Sequence, residues 1–487
     1  MKSFRRLFQA LTFTCAAGCL AATTALARPN LIVTTDIGGD PDDQQSMRRL
    51  MLYSNEFNIL SLVASASGIP GQLKQAVVQP QCIQEIIKDY AAVQPSLSHY
   101  GDYPSPEDLA ARVKSGNPNR GVEAIGEGKD TEGSNDIIAQ VDGATRRVCI
   151  TIWGGATDVA QALFRVRASR SAPETDRFTD KIIIYAIGDQ DAWKEQPGTV
   201  DWIQQQFPKL KLVMSRPHNL PKQTELTRGM YQNDSKVNNV TLPIVEDDVA
   251  PLNQEAWLDV HVLNNHGPLG ARYPANVVQN AQTKRNTKGI KEGDTPSWFY
   301  FLPHGLSDPE QPPWGGWGGR FQLTSNSYYT DGQDNHFSGN PDEALRRKWT
   351  VARWRKAYQN DFQARMDRCV SLTANRNPIA VVNGDSSQEI IRRNAAAGGT
   401  VKLDAGGSSD PDNGQTLSWK WWVYQEAGSF AGDISIANPT SSQISVPLPP
   451  ETAGQQIHVI LEVTDNGEPA LTSYRRVVIN CAASSGT

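Results

Sequence analysis

From residue 30 to about residue 215 the chain alternates short apolar runs with amphipathic ones, and no other feature restricts its fold so strongly. Asn30–Thr34, Phe57–Ala64, Arg147–Trp153, Lys181–Ile187 and Lys211–Ser215 are short apolar runs, as buried strands are. Between them, Gln44–Ser54 carries Met47, Leu50 and Met51 at helical spacing, and Cys82–Tyr90, Thr157–Val166 and Asp201–Phe207 also read as helices. Parallel strands need long crossovers, so the alternation predicts an α/β domain with a mainly parallel sheet and helices on both faces. Ligands of such sheets bind beyond the carboxyl ends of the strands.

The first run leads into that edge with TTDIGGDPDDQQ, residues 34–45, where Asp36, Asp40, Asp42 and Asp43 crowd together. Carboxylates this close repel one another unless a cation lies among them or they titrate. Calcium takes six to eight hard oxygens, and a glycine-flanked turn lets several carboxylates point at one spot. A solvated acidic turn is the plain alternative. IWGGATDVAQAL (152–163) reads as strand, double glycine and helix, with a backbone carbonyl available at the strand end. KEGDTPSWFYFL (291–302) puts Asp294 before an apolar run, as a helix N-cap, a metal ligand or both.

Residues 216–340 are rich in Pro, Gly and Asn and read as long loops, and 341–369 as one charged helix. After Asn377-Pro378, short β-like runs at 379–382, 400–403, 417–424, 443–446, 457–463 and 473–479 predict an immunoglobulin-like β-sandwich of about 100 residues. The expected organisation is a signal peptide at 1–27, an α/β domain at 28–376, a sandwich at 377–482 and a disordered tail at 483–487.

The signal peptide follows from Lys2, Arg5 and Arg6, an apolar stretch from Leu7 to Thr24, and the cleavage-type Ala25-Leu26-Ala27. Cys19 as a lipid-attachment site is the rival. Later apolar runs fall short of the ~18 residues of a membrane span. Cleavage would leave 460 residues and take the formal charge from −5 to −8, which argues against nucleic acid as a partner. A secreted or periplasmic location permits disulfides among Cys82, Cys149, Cys369 and Cys481, with Cys82–Cys149 and Cys369–Cys481 the favoured pairs.

Together, the aspartate turn, IWGGATD and GDTP resemble the nucleoside hydrolase superfamily. Asp36, Asp42 and Asp43 match its D-x-x-x-D-D turn, with two extra residues inserted. Gly154–Asp158 match its G-x-x-T-[ND] segment, and Gly293–Pro296 its late H-D-P, with glycine in place of histidine. WGGWGGRF (314–321), NNHGPLGARYP (264–274), LPHGLSDPE (302–310) and SSDPDNGQTLSWKWWVYQEAG (408–428) resemble an exported branch described as cellulose-binding.

The resemblance implies Ca2+ held by Asp36, Asp43, Asp294 and the Trp153 carbonyl, with Asp36 also the catalytic base that activates a metal-bound water. Asp42 would contact sugar hydroxyls, as would Asp191 of GDQDAW (188–193). Gly293 cannot donate a proton, which counts against nucleoside cleavage and leaves His304, His336, Glu292 and Asp191 as candidate acids. Trp314 and Trp317 are either a sugar-stacking platform or loop packing. Asp404, Asp410 and Asp412 read as a hairpin turn or a second calcium site. Trp419 and Trp421 share one strand face and Trp422 takes the other, one face for the core and the other for a glycan or the first domain. The leading expectation is an exported calcium-dependent glycoside hydrolase with a carbohydrate substrate. A non-catalytic cellulose-binding protein is the alternative, and an extracytoplasmic nucleosidase ranks third.

Overall fold

The computed structural model describes residues 27–483 except 40, 68–75, 193–197, 216–228, 232–235, 238–239, 242–249, 281–284, 326 and 336–342. The expected signal peptide (save residue 27), Cys19, Asp40, His336 and all but the start of the expected tail lie outside the described residues.

The α/β expectation holds. The first strands are β1 (Asn30–Thr35), β2 (Asn58–Ala64), β3 (Val113–Ser115), β4 (Val148–Ile152), β5 (Ile182–Ala186) and β6 (Lys211–Met214). Two short ribbons follow, β7 (Lys236–Val237) with β8 (Val240–Thr241) and β9 (Asn276–Asn280) with β10 (Arg285–Lys288). After them come β11 (Phe321–Leu323) and β12 (Tyr329–Asp331). The large sheet runs β11-β12-β6-β5-β4-β1-β2-β3, parallel throughout except for edge strand β11. Strand β1 shows why both faces are covered: Leu31 and Val33 enter one core, Ile32 the other. Strand order reverses between β1 and β4, which makes their carboxyl ends the topological switch point.

The C-terminal strands are β13 (Ile391–Ala396), β14 (Thr400–Asp404), β15 (Ser418–Val423), β16 (Gln443–Pro447), β17 (Gln456–Thr464) and β18 (Thr472–Ala482). They form a four-stranded sheet, β13-β18-β17-β15, and a two-stranded one, β14-β16, around a core of their own. Trp421 is buried in that core with Trp419 packed beside it, while Trp422 faces the first domain, 5.8 Å from the Trp354 ring. The predicted 341–369 helix is in fact two, Glu343–Ala352 and Arg355–Asp367. The break turns Trp354 against Trp422, Tyr424 and Tyr474 of the sandwich.

No disulfide forms among the described residues; all four cysteines are free. Cys369 belongs to the core of the first domain and Cys481 to that of the sandwich, while Cys149 is buried in strand β4 and Cys82 lies part-buried on the helix Pro80–Ala91.

At the junction, fully buried Asp334 accepts from Arg320 Nε at 2.6 Å, Arg353 Nη1 at 2.8 Å and the Tyr424 hydroxyl at 2.6 Å. The two guanidinium groups hold its carboxyl below the usual range against the upward push of burial. Asp334→Asn would leave two buried cations undercompensated. Its expected cost is about 3–5 kcal/mol in urea unfolding.

Candidate active site at the switch point

Strand β1 delivers Asp36 and strand β4 delivers Trp153-Gly154-Gly155, one on each side of the switch point. The approach is close enough to exclude side chains from both glycines. A Cβ on Gly154 would lie 2.4 Å from Asp36 Cγ, and one on Gly155 2.3 Å from Asp191 Oδ1. The double glycine is therefore an opening for two carboxylates as well as a turn.

Asp42 and Asp43 sit in the first turn of the helix Pro41–Leu52, and Asp294 is the N-cap of the helix Thr295–Phe299. Both positions favour negative charge near the helix start. Asp294 makes no capping bond with its side chain; its carbonyl accepts from Ser297 N at 3.0 Å and Ser297 Oγ at 2.6 Å. Asp42, Asp43 and Asp294 present carboxylate oxygens within 4.8 Å of one another, the only such metal-capable group among the described residues. Asp404, Asp410 and Asp412 form no such group among the described residues: Asp404 and Asp410 cap local backbone, and Asp412 pairs with Arg376 at 2.7 Å. The segment is not the expected hairpin turn either, because β14 pairs with β16 and β15 with β17, so it crosses between the two sheets.

Asp36, expected on the metal, stands beside this group. Its Oδ2 accepts from Arg120 Nη2 at 2.5 Å, and Arg120 also reaches the Ala66 carbonyl at 2.7 Å and lies 3.6 Å from Asp191. The Trp153 carbonyl accepts from Gln190 Nε2 at 2.5 Å. Lys291 Nζ is 3.6 Å from Asp42, and the Tyr231 hydroxyl 3.4 Å from it. A Cβ on residue 293 would meet Tyr231 Oη at 2.7 Å and Asp42 Oδ2 at 3.0 Å, so Tyr231 fills the space a histidine there would need.

With Asp36 and Arg120 neutralising each other, the three carboxylates and Lys291 leave a net charge of −2 among the described residues. Hard oxygen donors with that balance fit one calcium ion.

Other expected residues have different positions. Asp191 is buried and accepts from Ala156 N at 2.9 Å and Thr157 Oγ1 at 3.3 Å, as well as from Thr199 Oγ1. It holds the start of the helix Thr157–Ser169 and does not present itself to a sugar. Glu292 is fully buried between Arg49, 2.5 Å away, Tyr273 and Thr295, so it is no exposed acid. Trp314 and Trp317 are only 5% and 3% exposed. Trp314 stacks edge-on with His458 of the sandwich, and Trp317 lies against Phe299, His304, Tyr358 and Tyr474. The packing alternative describes both rings, and neither forms a platform at the aspartates. His304 sits with Trp317 at the domain junction, and burial pushes its imidazole down to about 3.

Arg120, Tyr231 and Lys291 escaped the sequence reading. Arg120 ends SGNPNR, a turn after the short strand β3, and a lone cation in a loop at the carboxyl edge was the available signal. Asp158 places that loop: it accepts from Asn117 N at 2.9 Å and Thr131 Oγ1 at 2.6 Å. Tyr231 and Lys291 face each other across an isolated antiparallel bridge.

Residues 30–321 match the family model described as cellulose-binding Sde182, nucleoside hydrolase-like domain, and residues 400–481 match the Sde0182 C-terminal domain. The chain belongs to the Sde182 family. A solved structure, of a nucleoside hydrolase-related hypothetical protein from Saccharophagus degradans associated with carbohydrate metabolism, is 33% identical. That match covers 93% of this chain and 100% of the other, with a TM-score of 0.74. A plant nucleoside hydrolase is 12% identical over 67% of this chain and 100% of its own, with a TM-score of 0.32. The inosine-uridine preferring nucleoside hydrolase of Bacillus anthracis is 11% identical over 39% of this chain and 64% of its own, at 0.23. Among curated proteins there is no match.

Burial raises the Asp158 carboxyl to about 6, although bonds from Thr131 and Asn117 oppose this. A folded value above the unfolded one stabilises at low pH, and the contribution is lost as pH rises through about 6. Urea unfolding between pH 4 and 7.5 is expected to show that decline in the native chain and a flatter profile in Asp158→Asn.

Proposed function

We propose that this protein binds a neutral glycan at the switch point, and that Asp42, Asp43 and Asp294 hold a calcium ion there. The observation that carries the reading is the convergence of these three carboxylates within 4.8 Å at the sheet edge where α/β proteins bind ligands. Calcium would supply a hard Lewis acid able to anchor a pair of sugar hydroxyls. The carbohydrate class is supported by the family's description and by the link of the Saccharophagus degradans relative to carbohydrate metabolism. The basic and apolar start of the sequence supports export to the periplasm or medium.

Hydrolysis is the second reading, favoured by Asp36 beside the cluster. Asp36 Oδ1 is turned toward Gly154, and Oδ2 is held by Arg120. As a base, Asp36 would take a proton from an attacking water while the sugar develops oxocarbenium character. Arg120 already engages Oδ2 at 2.5 Å, which is why binding ranks first. Nucleoside cleavage ranks below both, because Tyr231 occupies the space beside Gly293 where the resemblance expects a histidine.

Metal analysis of the purified protein is the first test, with cello-oligosaccharide binding and reducing-sugar release measured with and without chelator. About one calcium per chain and chelator-sensitive binding without release are expected; chelator-sensitive release would move the assignment to hydrolase. Asp43→Asn and Asp294→Asn should each weaken calcium binding by about tenfold or more. Arg120→Gln should strengthen it, because the freed Asp36 charge joins the cluster. No calcium and no glycan bound would end this reading.

A further inference from the structure

A cavity of about 550 Å3 opens between the α/β domain and the sandwich. Its volume falls in the range of small-ligand sites, ~300–1,000 Å3. One wall comes from the loop 302–304 and Trp317, the other from residues 377–388 and strand β18. Tyr53 also lines it, just past the end of the helix whose first turn carries Asp42 and Asp43. At 1.5 Å per residue, that helix separates the cavity from the aspartate cluster by ~17 Å.

We infer that this cleft is a second glycan site, taking a short neutral oligosaccharide.

The first argument is charge. Arg365 is matched by Glu56 and Asp361, both at 2.8 Å, and Arg475 by Asp385 at 3.3 Å. The cleft thus has its ionic groups paired within the protein and favours a neutral guest over a phosphate or a uronate. The second is the hydrogen-bonding surface. Neither ring nitrogen of His304 has a hydrogen bond of proper geometry among the described residues, and both are shielded from solvent. A neutral imidazole carries one donor and one acceptor, and leaving such groups unsatisfied costs ~1–3 kcal/mol each. A sugar hydroxyl both donates and accepts. Burial keeps the ring neutral, since it outweighs the upward pull of the Leu302 carbonyl. The third is the lining, where Ser386, Ser387, Gln388 and Ser473 offer hydroxyl and amide groups beside apolar Pro303 and Ile379. Sugars present this alternation of polar rim and apolar face.

The inference rests on the carbohydrate reading above, and titration calorimetry of the full chain with cellotetraose separates the two. Ser386→Leu narrows the cleft without adding an aromatic face, and His304→Leu removes both ring nitrogens at similar volume. Asp43→Asn disables the aspartate cluster only. Each variant is first compared with the native chain in melting temperature. Loss of one bound cellotetraose per chain in Ser386→Leu, retained in Asp43→Asn, is the expected result. His304→Leu, expected to weaken that binding about tenfold, decides the matter if Ser386→Leu does not fold. Unchanged stoichiometry and affinity in the cleft variants would overturn the inference and leave the cleft to water. A native chain that binds no oligosaccharide would overturn the carbohydrate reading itself, and this inference with it.

Discussion

Like charge at the carboxyl edge of a parallel sheet has to be balanced, and the ion pair between Asp36 and Arg120 is where the balance starts. The pair lies at the reversal of strand order, with the guanidinium 3.6 Å from Asp191 as well. Gly154 and Gly155 leave room for both carboxylates, and Asp158 fixes the loop that carries the arginine. What remains is a carboxylate trio with one lysine, Lys291, 3.6 Å from Asp42. Helix starts, glycine positions and loop anchors thus serve one electrostatic arrangement.

A comparable logic operates where the two domains meet. Asp334 bonds two arginines and a tyrosine. Arg476 of β18 donates to the carbonyls of Leu306 and Gly315, so the glycine-rich tryptophan loop is bonded by the sandwich through its backbone. A Cβ on Gly318 would lie 2.3 Å from Tyr300 N, which brings the same loop hard against the α/β domain. Arg353 lies over Tyr424 at 4.3 Å and Trp422 at 4.8 Å, so cations and rings interleave across the boundary.

The sequence made β1, β2, β4, β5 and β6 legible because strands covered on both faces read as unbroken apolar runs. Strand β13, IRRNAA, was missed because most of its side chains are exposed and its pattern is polar. The break near Trp354 was also missed: no Gly or Pro marks it, and its cause is packing against residues about 70 to 120 positions later. Asp43 and Asp294 were legible as metal ligands through the family resemblance, whereas Asp42, expected on sugar hydroxyls, joins their group in the fold and Asp36 does not. Arg120 was not legible, since a turn residue gains its meaning from the carboxylates the fold brings to it. The tryptophans show the opposite limit: WGGWGG names an aromatic loop, and only the tertiary structure says what its rings face.

The hydrophobic core of the α/β domain does not end at the domain. Tyr424, Ala427, Ile460 and Tyr474 of the sandwich belong to the same cluster as Leu31 and Met47. A carbohydrate-binding module tethered by a linker can be exchanged between proteins or cut away while the remainder keeps working. Here severance would strip one wall from the larger core and expose Trp317 and Trp354 to water. The small domain therefore behaves as a lid sealed in place, and the two halves are expected to be inherited, expressed and degraded as one object.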